Sequence, residues 1–245
     1  MGNSEEVKKI VKEKYSEIAN NGSCCGCSCN RNKNISKSIG YSDDELKIAG
    51  DANLGLGCGN PVGFSNIKEG DVVLDLGCGA GIDCFLAAKK VGEHGRVIGV
   101  DMTEEMVEKA KMSAKQQGIK NLEFVVSEIE HMPIEDSSVD IIITNCVINL
   151  TPDKSETFKE AYRVLKSGGR IYLSDIVLLK ELSKEQKNDK NLLTGCVTGA
   201  LLREDYLKKI EEAGFRINIL NENKKISKEQ YNGIALESLM IEAIK

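Results

Sequence analysis

Apolar positions in this chain alternate between two rhythms. The short runs Val72–Leu76, Val97–Val100, Leu122–Val126, Val139–Thr144 and Arg170–Leu179 have the length and β-branched content of buried strands. Between them the apolar residues fall three and four apart. Ile82, Phe85, Leu86 and Val91 make one such stripe, and a second helix starts at Thr103-Glu-Glu and ends at Gly118. Strand and helix in alternation predict a parallel sheet with helices on its faces.

The flanks carry weaker signals. Ser4–Ala19 reads as an amphipathic helix with Val7, Ile10, Val11 and Ile18 on one stripe, stopped at Asn21-Gly22. The next segment, through the polar run RNKNISKS, reads as mobile. Ser42-Asp-Asp-Glu45 is a capping box for a short helix to about Ala49. Thr151 as cap, Pro152 as first helical residue and Gly168-Gly169 frame a later helix. SKEQKNDK reads as a polar connection, and Arg203–Ala213 as a helix ended by Gly214. Phe215–Leu220 and about Ala235–Ile244 read as two closing antiparallel strands.

The first strand runs into Gly77, Gly79 and Gly81, where a backbone without Cβ atoms turns sharply and approaches a ligand closely. Strand, glycine loop and helix form a cradle for a nucleotide-like group. The spacing D-x-G-x-G-x-G differs from the GxGxxG of dinucleotide folds, because position 82 is Ile. Asp101 ends the second strand about 20 residues past the loop, placed to accept ribose hydroxyls. In an open parallel sheet ligands sit beyond the strands' carboxyl ends, so Asn145 and Cys146 stand at the reaction edge by topology.

Composition narrows the chemistry. The net charge of −5 and the lack of a basic run argue against nucleic-acid binding. No apolar run approaches the roughly 20 residues that span a bilayer, and the charged N-terminus lacks a signal-peptide core. A cytoplasmic location is expected. With two histidines there is little from which to build a His-based metal site or triad. Nine cysteines in a reducing compartment point instead to thiol chemistry. Cys24, Cys25, Cys27 and Cys29 cluster near the N-terminus, a soft-ion signature. Cys58 lies between two glycines in the loop before the first core strand and is expected to be exposed; Cys196 lies among small residues late in the chain. Cys84 falls on an apolar helix stripe and reads as core, while Cys78 sits inside the glycine loop.

The segments NLGLGCGNP, VLDLGCGAGIDCFLAAKKVGEHGRVIGVDMT, SEIEHMP, NCVINLTPDK, SGGRIYLSDIV and GCVTGAL resemble the bacterial and archaeal arsenite S-adenosylmethionine methyltransferases, from about Ala49 to Gly214. The resemblance implies an α/β class I methyltransferase sheet, Rossmann-like and mostly parallel, with an antiparallel C-terminal hairpin and a small substrate-binding cap. It implies S-adenosylmethionine as cofactor, held around Asp75, Gly77, Gly79, Gly81, Asp101, Met102, Glu128, Ile129 and Asn145. It implies three thiolates that bind trivalent arsenic and fall here on Cys58, Cys146 and Cys196. An upstream cysteine, with Cys24 and Cys25 as candidates, joins a redox cycle fed by a thiol reductant such as thioredoxin or glutathione.

Chemistry agrees with that expectation. Arsenic(III) is soft, three-coordinate and keeps a lone pair; thiolates are the soft ligands a protein has. Three divisions are expected: 1–48 as a helical and Cys-rich segment, 49–180 as the cofactor domain, and 181–245 as cap, helix and closing strands. Two other readings remain at this point. A small-molecule C- or O-methyltransferase of the quinone type would share the glycine loop and Asp101 without needing the thiols. A thiol-rich sequestering protein would bind arsenic without turnover.

Overall fold

The computed structural model describes residues 4–21 and 26–245. Seven strands form one sheet in the order β3-β2-β1-β4-β5-β7-β6. They are β1 (Val72–Leu76), β2 (Arg96–Asp101), β3 (Leu122–Val126), β4 (Val139–Asn145), β5 (Leu165–Leu178), β6 (Arg216–Asn223) and β7 (Leu236–Ile244). The first five pair in parallel, while β7 runs antiparallel to both β5 and β6. The closing strands are therefore a hairpin on the sheet, with β7 inside and β6 at the edge.

The helices are α1 (Ser4–Asn21), α2 (Gly26–Ser38), α3 (Asp43–Ala49), α4 (Pro61–Phe64), α5 (Ile82–Val91), α6 (Glu104–Gln117), α7 (Lys154–Val164), α8 (Lys184–Lys187), α9 (Lys190–Thr194), α10 (Arg203–Glu212) and α11 (Ile226–Gln230). Alternation along each central strand builds two cores. Val73, Ile141 and Ile143 face one core with Phe85 of α5 and Val107 and Ala110 of α6. Leu74, Leu76 and Ile142 face the other with Phe158 of α7 and Tyr206 and Ile210 of α10. Among the described residues no helix is long and apolar enough to cross a membrane.

Several expectations are corrected. The polar segment expected to be mobile is helical in its described part, as α2. It is anchored by tertiary contacts: Ser36 is buried and donates to the Asn53 side chain at 2.8 Å, and Ile39 just beyond it is buried. Helix α7 starts later than expected. Asp153, not Thr151, is its cap and accepts from the Glu156 N–H, while the Thr151 hydroxyl donates back to the Ile148 carbonyl at 2.8 Å. SKEQKNDK contains α8, opened by a Ser183–Gln186 capping box. Strand β4 ends at Asn145, so Cys146 lies one residue past it. Cys58, expected to be exposed, is 1% exposed, because its loop folds down onto the end of the sheet.

Candidate functional site

One cavity of about 240 Å³ opens at the carboxyl ends of β1, β2 and β4. Register explains its position. Leu76 pairs with both Val100 and Thr144, so three parallel strands end at one level, and the chain leaves each into the cavity wall. Asp75, Gly77, Gly79, Asp101, Met102, Glu128, Ile129 and Asn145 line it, together with Cys146 and Cys196.

The glycine loop is held open by its own backbone. Gly77 and Gly79 have φ of +67° and +52°, a region that L side chains rarely adopt. A Cβ at Gly77 would run into Val147, whereas one at Gly79 would meet nothing within 4 Å. Gly79 thus leaves a space in the cavity wall that a side chain would fill. Gly81 acts on the backbone: it caps α5 at φ +95°, and a Cβ there would come 3.1 Å from the Phe124 ring. Asp101 braces the loop, accepting the Gly79 N–H at 2.9 Å and the Thr103 N–H at 2.8 Å. Burial pushes its carboxyl up, against those two bonds. Asp75 is buried and accepts the Cys84 thiol at 3.2 Å.

The three candidate thiols arrive from three different elements. Cys58 sits in the loop before α4; its N–H donates to Asn145 Oδ1 at 3.0 Å and its thiol to the Ser174 carbonyl at 3.4 Å. Cys146 follows β4 and donates its N–H to that same Ser174 carbonyl at 2.7 Å. Cys196 follows α9, and its thiol donates to the Cys146 carbonyl at 2.8 Å. Cys146 and Cys196 both have positive φ, +61° and +67°. Such backbone strain in a non-glycine residue persists only where the surroundings enforce it. All three are buried. The neighbouring thiols of Cys196 and then Cys58, followed by burial, push the Cys146 thiol well up. The contact with Cys146 pulls the Cys196 thiol down most strongly, but burial together with the Asp175 and Cys58 charges outweighs it and the shift is upward. Free of ligand, Cys146 and Cys196 therefore hold their protons at neutral pH.

Asn145 ties the two regions together. Besides accepting from Cys58, its amide donates to the Gly59 carbonyl at 2.7 Å and the Tyr41 hydroxyl at 2.9 Å. Its role here is to clamp the Cys58 loop to the end of β4. Cys24 and Cys25 lie outside the described residues. Sequence reasoning missed several groups at the site. Helix α1 contributes Lys8, Val11 and Tyr15 to the cavity, and Tyr231 follows α11 into it. Lys8 pairs with Glu128 at 2.5 Å and Glu130 at 3.1 Å, and the Tyr15 hydroxyl donates to the Thr194 carbonyl at 3.5 Å. The apolar stripe of α1 was legible; where it docks was not.

Sheet order, glycine loop and terminal acid define the class I methyltransferases, and residues 67–214 match the family described as a methyltransferase domain. The chain is 44% identical over 225 residues to an arsenite methyltransferase of Halobacterium salinarum, covering 86% of this chain and 58% of the relative. It is 39% identical over 168 residues to the arsenite methyltransferase of Aquipseudomonas alcaligenes, covering 66% of this chain and 49% of the relative. The chain thus spans about half the length of the curated relatives it matches. The crystal structure of an arsenic(III) S-adenosylmethionine methyltransferase from Chlamydomonas reinhardtii superposes with a TM-score of 0.69 at 33% identity, covering 86% of this chain and 73% of that one. The chain belongs to the arsenite S-adenosylmethionine methyltransferase family.

Proposed function

We propose that this chain methylates trivalent arsenic held by Cys58, Cys146 and Cys196, with S-adenosylmethionine in the adjoining cavity. The observation that carries the reading is three buried thiols brought together from three separate elements, two of them on strained backbones, with Cys146 and Cys196 lining the cavity of the glycine loop. A quinone-type methyltransferase has no use for such a cluster.

The residues present fit the cofactor. Gly79 leaves open wall, Asp101 offers carboxylate lone pairs beyond the two that accept the Gly79 and Thr103 N–H groups, and Glu128 and Ile129 line the cavity and would hold the adenine. When bound, the cofactor supplies an electrophilic methyl group on a sulfonium. The protein's work is to hold arsenic with its lone pair toward that methyl and to keep water out. No general base is needed, since arsenic has no proton to lose. The exchange balances for arsenite as substrate: its three hydroxyls leave as water with the protons of three thiols.

Methylation takes arsenic to the pentavalent state, and two electrons from a dithiol return it to trivalent while the dithiol becomes a disulfide. Cys24 or Cys25 serves in that step in our reading, with a thioredoxin- or glutathione-type reductant resetting it in the cytoplasm. Residues 49–180 then bind the cofactor, 181–245 complete the arsenic site and the sheet, and 1–48 supply the covering helix and the redox thiols. Mass spectrometry of products from purified protein, S-adenosylmethionine, thiol and arsenite tests the reading. Methylated arsenicals are expected; bound arsenite with no methylated product would replace the enzyme by a sequestering protein.

A further inference from the structure

Arsenic(III) takes sulfur ligands, which leaves a buried carboxylate beside the cluster without a task. One oxygen of Asp175 and the sulfurs of Cys58 and Cys146 all lie within 4.8 Å of one another. Asp175 is 1% exposed. Its carboxylate accepts from the Tyr206 hydroxyl at 2.9 Å, the Asn149 amide at 2.8 Å and the Ile176 N–H at 2.9 Å. These bonds fix its orientation and leave about one of its four lone-pair sites free. Nearby Lys154 is buried, and its ammonium rests on the carbonyls of Thr151 and Asn149 at 3.1 and 3.5 Å. Among the described residues Lys154 makes no ion pair, and Asn149 Oδ1 has no hydrogen-bond partner.

We infer that Cys58, Cys146 and Asp175 form a binding site for a thiophilic divalent cation of the Zn²⁺ or Cd²⁺ type. Two thiolates and a carboxylate are ordinary zinc donors, at about 2.3 Å for sulfur and about 2.0 Å for oxygen. Those bonds place tetrahedral donors roughly 3.3–3.8 Å apart, so closing on an ion requires movements of about 1 Å. The charges balance. Two thiolates and Asp175 carry −3, the ion +2 and Lys154 +1, and the two displaced thiol protons pass to solvent buffer. The cation competes with arsenite for Cys58 and Cys146, but only the cation uses Asp175. Nothing in this step depends on methyl transfer.

The test uses the reduced chain with Cys24, Cys25, Cys27 and Cys29 replaced by Ser, titrated with cadmium chloride alone. The ultraviolet sulfur-to-cadmium band should saturate at a single equivalent. Asp175→Asn should weaken cadmium binding by at least about tenfold and leave arsenite binding nearly unchanged. X-ray absorption at the cadmium edge, on the chain with Asp175 intact, needs no folded Asp175 variant: it should count two sulfurs and at least one oxygen. Three sulfurs without an oxygen, or equal cadmium affinity in folded Asp175→Asn, overturns the site. Absence of methylated product, by contrast, would overturn the proposed enzyme and leave this result untouched.

Discussion

Two groups of buried thiols lie around the same cavity, and they are built in opposite ways. Cys58, Cys146 and Cys196 come from a loop, a strand end and a turn, two of them at positive φ. Cys78 and Cys84 lie nine residues of chain or less from the end of β1, and both sulfurs pack against the space above Gly99. A Cβ at Gly99 would come within 2.9 Å of each sulfur. Both groups are sealed from water, so burial does not separate them. What separates them is backbone strain and convergence of distant elements, which a packing residue does not require. On the proposed function, the contrast separates three arsenic ligands from two packing thiols.

The strongest way to break that contrast is to remove one thiol from the strained group. Cys146→Ser or Cys196→Ser should lower arsenite methylation by at least about a hundredfold, since a hard hydroxyl replaces a soft ligand and the lone pair loses its aim. Cofactor affinity by calorimetry should stay near wild type. A Cys196→Ser protein with wild-type turnover would dissolve the three-thiol site.

How far the sequence carries this is visible in particular residues. The runs that became β1, β2 and β4 are legible because a doubly buried strand is apolar at nearly every position, and Leu122–Val126, at the sheet edge, still reads with its observed bounds. Topology and resemblance singled out Cys58, Cys146 and Cys196, and the fold buries all three. Helix α2 was not, because its sequence is polar and its order comes from Ser36 and Ile39 docking on distant chain. Cys58 looked exposed because glycine neighbours describe a loop's freedom and not where it folds. Asp175 gave no signal at all: within IYLSDIV it is one polar position in a strand, and only folding sets it beside two sulfurs.

The second test concerns charge beside the strained group. Burial pushes the Asp175 carboxyl up to about 6 from an ordinary 3.8, despite the bonds from Tyr206 and Ile176. The folded chain therefore holds a proton that the unfolded chain releases between about pH 4 and pH 6. Stability from this group is present below that window and is lost as pH rises through it, by about 3 kcal/mol at most. Asp175→Asn removes the dependence, so urea unfolding at pH 4.5 and 7.5 should show the variant gaining on wild type as pH rises. Parallel curves would mean that Asp175 is not the proton holder. Next in size, Gly99→Ala forces a methyl against Cys78, Cys84 and Phe124 and should cost about 1–3 kcal/mol by overpacking. Turnover per folded molecule should be retained. Lost turnover at full stability would place the packing pair in the chemistry.

The smallest expected effect is also the most pointed. Cys84 is fully buried, and its thiol donates to Asp75, itself 2% exposed, at 3.2 Å. Burial first, together with the neighbouring Cys78 thiol and the Asp75 charge, pushes the Cys84 thiol well up, so it is an inert donor and not a nucleophile. Serine keeps a donor for Asp75 but shortens the reach and leaves a little unfilled volume, for a loss of about 1 kcal/mol. Alanine removes the donor as well, strands a buried carboxylate and should cost about 1–3 kcal/mol. Ser above Ala in unfolding free energy, with both at wild-type turnover, is the signature of a packing thiol that also satisfies an acid. Ser and Ala equally stable would show that the bond to Asp75 contributes nothing. A Cys84→Ser protein of wild-type stability that no longer methylates arsenite would make Cys84 a participant, and strain would cease to distinguish the two groups.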